Sequence, residues 1–162
     1  MSSTDTLLQP TRPTLALTVQ RALRASEREG VPRAPDLRRW ARAALRDRSV
    51  EAAVRIVGED EGRVLNRDYR KRDYATNVLT FVYDDAPVPG MPLFGDIVLC
   101  APVVVREARE QGKPLDAHFA HLMVHAMLHL QGFDHETASE AEEMETLETA
   151  ILATLGYGNP YT

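Results

Sequence analysis

Residues 118–136 read HFAHLMVHAMLHLQGFDHE and hold all five histidines of the 162-residue chain. At helical steps His118, His121, His125 and His129 fall within an arc of roughly 80° on one face. The residues between them are apolar nearly all round, as in a helix buried inside a domain. Gly132 is placed to end that helix in a left-handed conformation, so that Phe133, Asp134 and His135 fold back toward its last turn. His125 and His129 are one turn apart, with Cβ atoms about 6 Å from each other. Two imidazoles at that spacing can share a metal ion, and the turn offers His135 as the third ligand. The pair His121/His125 has the same spacing but lies further from the turn. His121 is therefore read as a support for the site, and His118 as structural. Asp134 and Glu136 are the nearest carboxylates, expected to orient a histidine N–H or an approaching water.

Outward from this stretch the pattern predicts one α+β domain, a small mixed sheet covered by helices with the buried histidine-bearing helix against it. Leu15, Leu17 and Val19 alternate with smaller or polar residues, predicting a strand. Residues 21–34 could hold a short helix. From Pro35, Leu37, Trp40, Ala41, Ala44 and Leu45 fall at helical spacing with arginines outside. A strand is expected over 50–57, a helix over 59–70 despite Gly62, a strand over 76–82 and another over 95–100. A loop rich in proline and glycine separates the last two. Pro102 suits the first turn of a helix running to about Gln111, and Asp116 is a candidate cap for the histidine helix. Thr137 with Glu140, or Ser139 with Glu142, offers a capping box for a final helix. Met144, Leu147, Ile151 and Leu155 mark its inner face, and Gly156 its end. The domain is expected over 14–157, between a loose tail over 1–13 and a short one over 158–162.

The N-terminus lacks the basic start and apolar block of a signal peptide, and no apolar run approaches the roughly 20 residues of a membrane span. One cysteine, Cys100, permits no internal disulfide, which suits a reducing cytoplasm. The net charge of −5 hides a division: residues 1–72 carry 16 Lys+Arg against 10 Asp+Glu, and residues 73–162 carry 3 against 14. Fifteen of the first sixteen are arginine, whose guanidinium matches phosphate oxygens. Such a basic half points toward an anionic partner, although arginines on solvated helix faces would give the same count.

Three histidines with an open position make a catalytic rather than a closed structural site. Neutral imidazoles suit zinc, while nickel, copper or iron fit the ligand type too. An ion so held keeps its full charge and can lower the pKa of bound water to about 7 or polarise a phosphoryl oxygen. The spacing H-x3-H-x2-G-x2-H is that of the metzincin proteases, but Ala126 stands where their general-base glutamate follows the first histidine. A metalloprotease is disfavoured on that ground, and a phosphodiester substrate fits the basic half better. An RNA-binding factor with a structural metal is the other alternative.

The segment HLMVHAMLHLQGFDH resembles the signature of the YbeY family of bacterial rRNA-maturation endoribonucleases. LNRDYRKRDYATNVLTF at 65–81, FGDIVLC at 94–100 and EAEEMETLETAILATLGY at 140–157 resemble further blocks of that family, in the same order. The resemblance implies a metal-dependent, single-strand-directed endoribonuclease acting in 16S rRNA 3′-end maturation and ribosome quality control, with the ribosome or small-subunit components as partners. It implies His125, His129 and His135 as ligands of one zinc ion. It also implies Arg70 as the functional arginine, which could hold a phosphate and stabilise charge developing on it. Arg70, Lys71 and Arg72 are then the RNA-binding candidates. Ala126, Ala75 and Val82 depart from the family pattern and leave every ligand in place. No residue is an evident general base.

Overall fold

Four strands form one sheet in the order β1-β2-β4-β3, with β1 (Leu15–Ala22), β2 (Val50–Val57), β3 (Val78–Val82) and β4 (Leu93–Cys100). β1, β2 and β4 run parallel, in a register that sets Leu17 beside Ala52 and Val54 beside Ile97. β3 is antiparallel to β4 at the edge, Thr80 facing Ile97. The computed structural model describes residues 12–83 and 90–162. Most of the expected tail, and residues 84–89 of the proline-rich loop, lie outside them.

Ile97 through Cys100 are all buried, since β4 is interior and covered on both faces. Ile97 and Leu99 join the main core, while Val98 and Cys100 join a smaller one with Val57, Leu79 and Val103. The parallel connections are made by α1 (Ala34–Ala44) between β1 and β2, and by α2 (Glu59–Arg70) on the way from β2 to β4. α3 (Ala101–Gln111), α4 (Leu115–Leu130) and α5 (Ala138–Thr154) complete the chain. Among the described residues no helix is long and apolar enough to cross a membrane.

α4 packs against α1, α3, α5, β3 and β4. Phe119, Met123, Val124, Met127 and Leu128 on it are fully buried. Each such side chain is worth about 1.5–3 kcal/mol of apolar burial, which outweighs the weak amphipathicity and puts this helix inside. Gln131, just past its end, ties it to α1: its Oε1 accepts from the Arg46 N–H at 2.8 Å, and its Nε2 donates to the Ala44 carbonyl at 2.9 Å.

Several local expectations shift. Residues 21–34 hold only a three-residue 3-10 turn, Ala25–Glu27, because β1 continues to Ala22 opposite Val57. β3 begins at Val78, and β4 already at Leu93. Pro114, not Asp116, occupies the cap position of α4, while Asp116 Oδ1 accepts from the Ala117 N–H within the first turn. Of the two capping boxes, Thr137 with Glu140 is the one made. Gly62 is accommodated because a Cβ there would come 2.8 Å from Cys100 Sγ. Its helical cost of about 1 kcal/mol lets α2 lie close on β4.

The final residues are tied down. Lys113 Nζ donates to the Pro160 carbonyl, and the Tyr161 hydroxyl donates to Glu148.

Candidate metal centre

The site is built where α4 ends. The Phe133 N–H bonds the Leu128 carbonyl and the Gly132 N–H bonds that of His129, both at 3.1 Å, with Gly132 at φ +98°. This is a Schellman closure, which satisfies carbonyls the helix end would otherwise leave unpaired. Phe133 packs against the main core beside it. With the backbone reversed and Phe133 anchored, Asp134 and His135 return to the last turn of α4.

One donor atom each from His129, Asp134 and His135 lie within 4.8 Å of one another, the only such group of metal-capable side chains among the described residues. The His135 ring lies 6.2 Å from that of His129 and 5.5 Å from that of His125, centroid to centroid. Thus the turn brings His135 to both helical histidines. Asp134, expected only as an outer partner, sits in the tight group, and His125 stands just outside it. Asp134 Oδ1 also accepts from the His135 N–H at 2.7 Å, fixing the turn. Glu136 is exposed beyond it.

The donor set fits a divalent transition metal: imidazoles and a carboxylate on one side of a helix end. His129 Nδ1 is buried without a hydrogen-bond partner among the described residues. Burial lowers the His129 pKa below 6.5, and the nearby His125, His135 and Arg70 lower it further, against an opposing pull from Asp134. A neutral ring with a free lone pair is the form that ligates a metal.

His125 is held from behind. Its Nδ1 lies 2.7 Å from Oε2 of Glu148, a residue of α5 that is fully buried. Burial raises the Glu148 pKa, but hydrogen bonds from His121, His125 and Tyr161 more than offset this and bring it to about 2. An ionised carboxylate only accepts, so His125 Nδ1 carries the proton and its Nε2 is the nitrogen left for a ligand. His121 Nε2 reaches the same Glu148 oxygen at 3.5 Å and the Tyr161 hydroxyl at 3.2 Å. His118 is engaged elsewhere, with Nε2 2.9 Å from Glu107 Oε1.

Glu148 and Tyr161 are not among the site residues expected from the sequence; Leu147, expected on the inner face of α5, does pack against the main core. Met144, Glu148, Ile151 and Leu152 are the buried residues of that helix. The signal was present: positions 144, 148, 151 and 155 share one stripe, and an acid on an apolar stripe needs a partner.

Arg70 is the last residue of α2, exposed, and its charge reaches His129. Lys71 follows at φ +61°, a left-handed stop that ends the helix beside it. Lys71 and Arg72 are exposed as well, with Arg72 Nη1 donating to the Tyr74 hydroxyl at 3.3 Å. Asn66 holds this loop to α2 by donating to the Tyr74 carbonyl at 2.7 Å. Cys100 takes no part: burial pushes its thiol up to about 11.

Known proteins share this arrangement of sequence. The family model described as "Endoribonuclease YbeY" matches residues 24–156. A protein of that name from Aromatoleum aromaticum is 69% identical over 147 residues, covering 91% of this chain and 92% of its own. Another from Methylibium petroleiphilum is 57% identical over 153 residues, covering 94% and 98%. A solution structure of a protein from Thermotoga maritima shares the fold, with a TM-score of 0.50 at 24% identity over 92% of this chain and 99% of that one. Over a match that takes in Arg70, the histidine helix, its closing turn and Glu148 alike, the chain belongs to the YbeY family of endoribonucleases.

Proposed function

We propose that this protein is a metal-dependent endoribonuclease that cleaves single-stranded RNA, acting in the cytoplasm on 16S rRNA 3′ ends and in ribosome quality control. The observation that carries the reading is the meeting at His129 of converging imidazoles, a carboxylate and the Arg70 charge, in a chain of this family. His125, His129 and His135 would hold one zinc ion, and Asp134 lies near enough to be a fourth donor or to orient a water. When bound, the ion supplies a Lewis acid for the phosphate and a water acidified toward neutral pH.

The chain's own residues do the rest. Arg70 would engage the phosphate group by donating two parallel N–H bonds to two of its oxygens, and would stabilise charge gathering there. Arg70, Lys71 and Arg72 together hold the backbone of the RNA. Glu148 keeps the proton of His125 on Nδ1, so the other nitrogen stays a lone-pair donor. With Ala126 in place of a glutamate, no carboxylate on the helix serves as base, and Asp134 is the nearest group able to accept a proton.

Elemental analysis and RNA cleavage, by wild type and His129→Ala from matched preparations, test this reading. Stoichiometric zinc and cleavage are expected in wild type, and both are expected to be lost in the variant. A folded His129→Ala protein that binds no metal yet still cuts RNA would sink it. A substrate with a 2′-deoxy sugar at the scissile position then separates attack by water from attack by the RNA's own 2′-hydroxyl, since only the first route cuts it.

A further inference from the structure

Glu148 is a fully buried carboxylate whose position the metal ligands alone do not explain. It lies on α5, and three side chains converge on it: His125 through Nδ1, His121 through Nε2, and the Tyr161 hydroxyl. An ionised carboxylate without partners would cost far too much in an apolar core, so these contacts are required for it to be there at all. Replacing the whole arrangement with apolar side chains would be a cheaper way to pack a helix. A group retained at such cost is more than filler.

Its geometry has a direction. Of the two histidines, His125 makes the short contact, 2.7 Å against 3.5 Å for His121. His125 is also the imidazole nearest to His135 by ring separation. Histidines that bind metals are commonly held by a carboxylate on the other ring nitrogen, which fixes the tautomer and the ring plane and makes the ligand more basic. Glu148 occupies that position for His125. Tyr161 then fixes Glu148 from the far side, and Tyr161 is itself delivered by the terminal segment, which Lys113 on the α3–α4 connection anchors at the Pro160 carbonyl.

We infer that Glu148 and Tyr161 are positioning residues of the metal centre, and that the terminal segment 157–162 is thereby part of its support. This inference rests on the metal reading of His125, His129 and His135. Glu148 contacts His125 and Tyr161 contacts Glu148, so both act through His125 rather than as ligands themselves. The Tyr161 side chain remains 46% exposed, so it can be changed without opening the core.

The test is metal binding by the full-length chain, with Zn2+ affinity measured by competition and Co2+ used for its visible ligand-field spectrum. Glu148→Gln, nearly the same shape without the charge, is expected to weaken Zn2+ binding roughly 10- to 100-fold. Tyr161→Phe removes the hydroxyl that bonds Glu148 and meets His121, and is expected to weaken it by a factor of a few up to about ten. Both are expected to alter the Co2+ spectrum while leaving the far-ultraviolet circular dichroism of the metal-free protein unchanged. Unaltered affinity and spectrum in Tyr161→Phe and in folded Glu148→Gln overturn the inference, whatever happens to melting temperature. If Glu148→Gln does not fold, Tyr161→Phe alone decides. His129→Ala separates the two failures. If it abolishes binding while Glu148→Gln and Tyr161→Phe bind as wild type, only the positioning role falls; a wild type that binds neither ion removes the metal reading and this inference with it.

Discussion

The two ends of α4 carry the same side chain on the same helical face, and the molecule uses them differently. Toward the start, His118 is 5% exposed and meets Glu107, which Asn77 also holds. Toward the end, His125 and His129 face a turn that returns Asp134 and His135. An unpaired nitrogen does not separate them, because Nδ1 of His118, His121 and His129 is in each case buried without a partner among the described residues. The separation lies in what arrives from elsewhere. One end meets a carboxylate that closes the site, and the other meets a glycine turn that brings further donors to an open one.

That contrast can be broken most directly at its extremes. His129→Ala is expected to lower RNA cleavage by more than about 100-fold, beyond the usual cost of losing an outer partner, with loss of bound metal. Parallel cleavage assays and elemental analysis of His118→Ala should show neither loss; equal defects in both variants would erase the distinction. Next in size is Arg70→Ala, expected to reduce cleavage roughly 100-fold as a lost anion-stabilising group does, with metal content intact. Salt titrations of RNA binding should flatten by about one unit of slope for each of Arg70 and Arg72 removed. A metal-depleted Arg70→Ala protein would place the arginine in the wrong role.

The closed end gives its effect in stability. His118→Ala is expected to cost about 1–3 kcal/mol by removing a buried ring and its bond to the Glu107 carboxylate, read as a shift in denaturant midpoint with unchanged m. Gly132→Ala tests the turn. A Cβ there meets nothing within 4 Å, so the penalty is the backbone at φ +98° alone. That is about 1–2 kcal/mol, with weaker metal binding if relaxation moves His135. The smallest effect is expected from protons. The folded pKa of His129 lies below its ordinary 6.5, so its contribution to metal-free stability is complete above 6.5 and declines as pH falls through the lower folded value. Denaturation of the metal-free protein between pH 5 and 8 should show that slope, reduced in His129→Ala; an unchanged slope would remove the argument for a burial-neutralised ring.

Much of this was readable from residue order. The helix over 59–70 and the strand over 50–57 match their observed limits, because local periodicity and the acids of the first turn of α2 point the same way. The stop at Gly132 was readable because a left-handed terminus asks for glycine. The role of Asp134 was not, since one residue of turn geometry decides whether a carboxylate joins a donor group or stands behind it. Glu148 escaped because a count of apolar residues picks out Leu147, which packs against the core, and passes over its charged neighbour, which is buried more completely. Tyr161 lay in a stretch of glycine and proline that carries no periodicity, and its partner is in α5.

What the sequence determined by itself is the face: the helical repeat fixes the direction of each side chain on its own backbone, so four histidines in register and a glycine stop already define one side of a site. What only the tertiary structure decided is which nitrogen of each ring is free. Glu148 reaches His125 across 23 residues and Tyr161 reaches His121 across 40, through contacts made when α5 and the terminal segment pack on α4. The proton on an imidazole follows its hydrogen-bond partner, and that partner is chosen by packing between elements rather than by spacing within one.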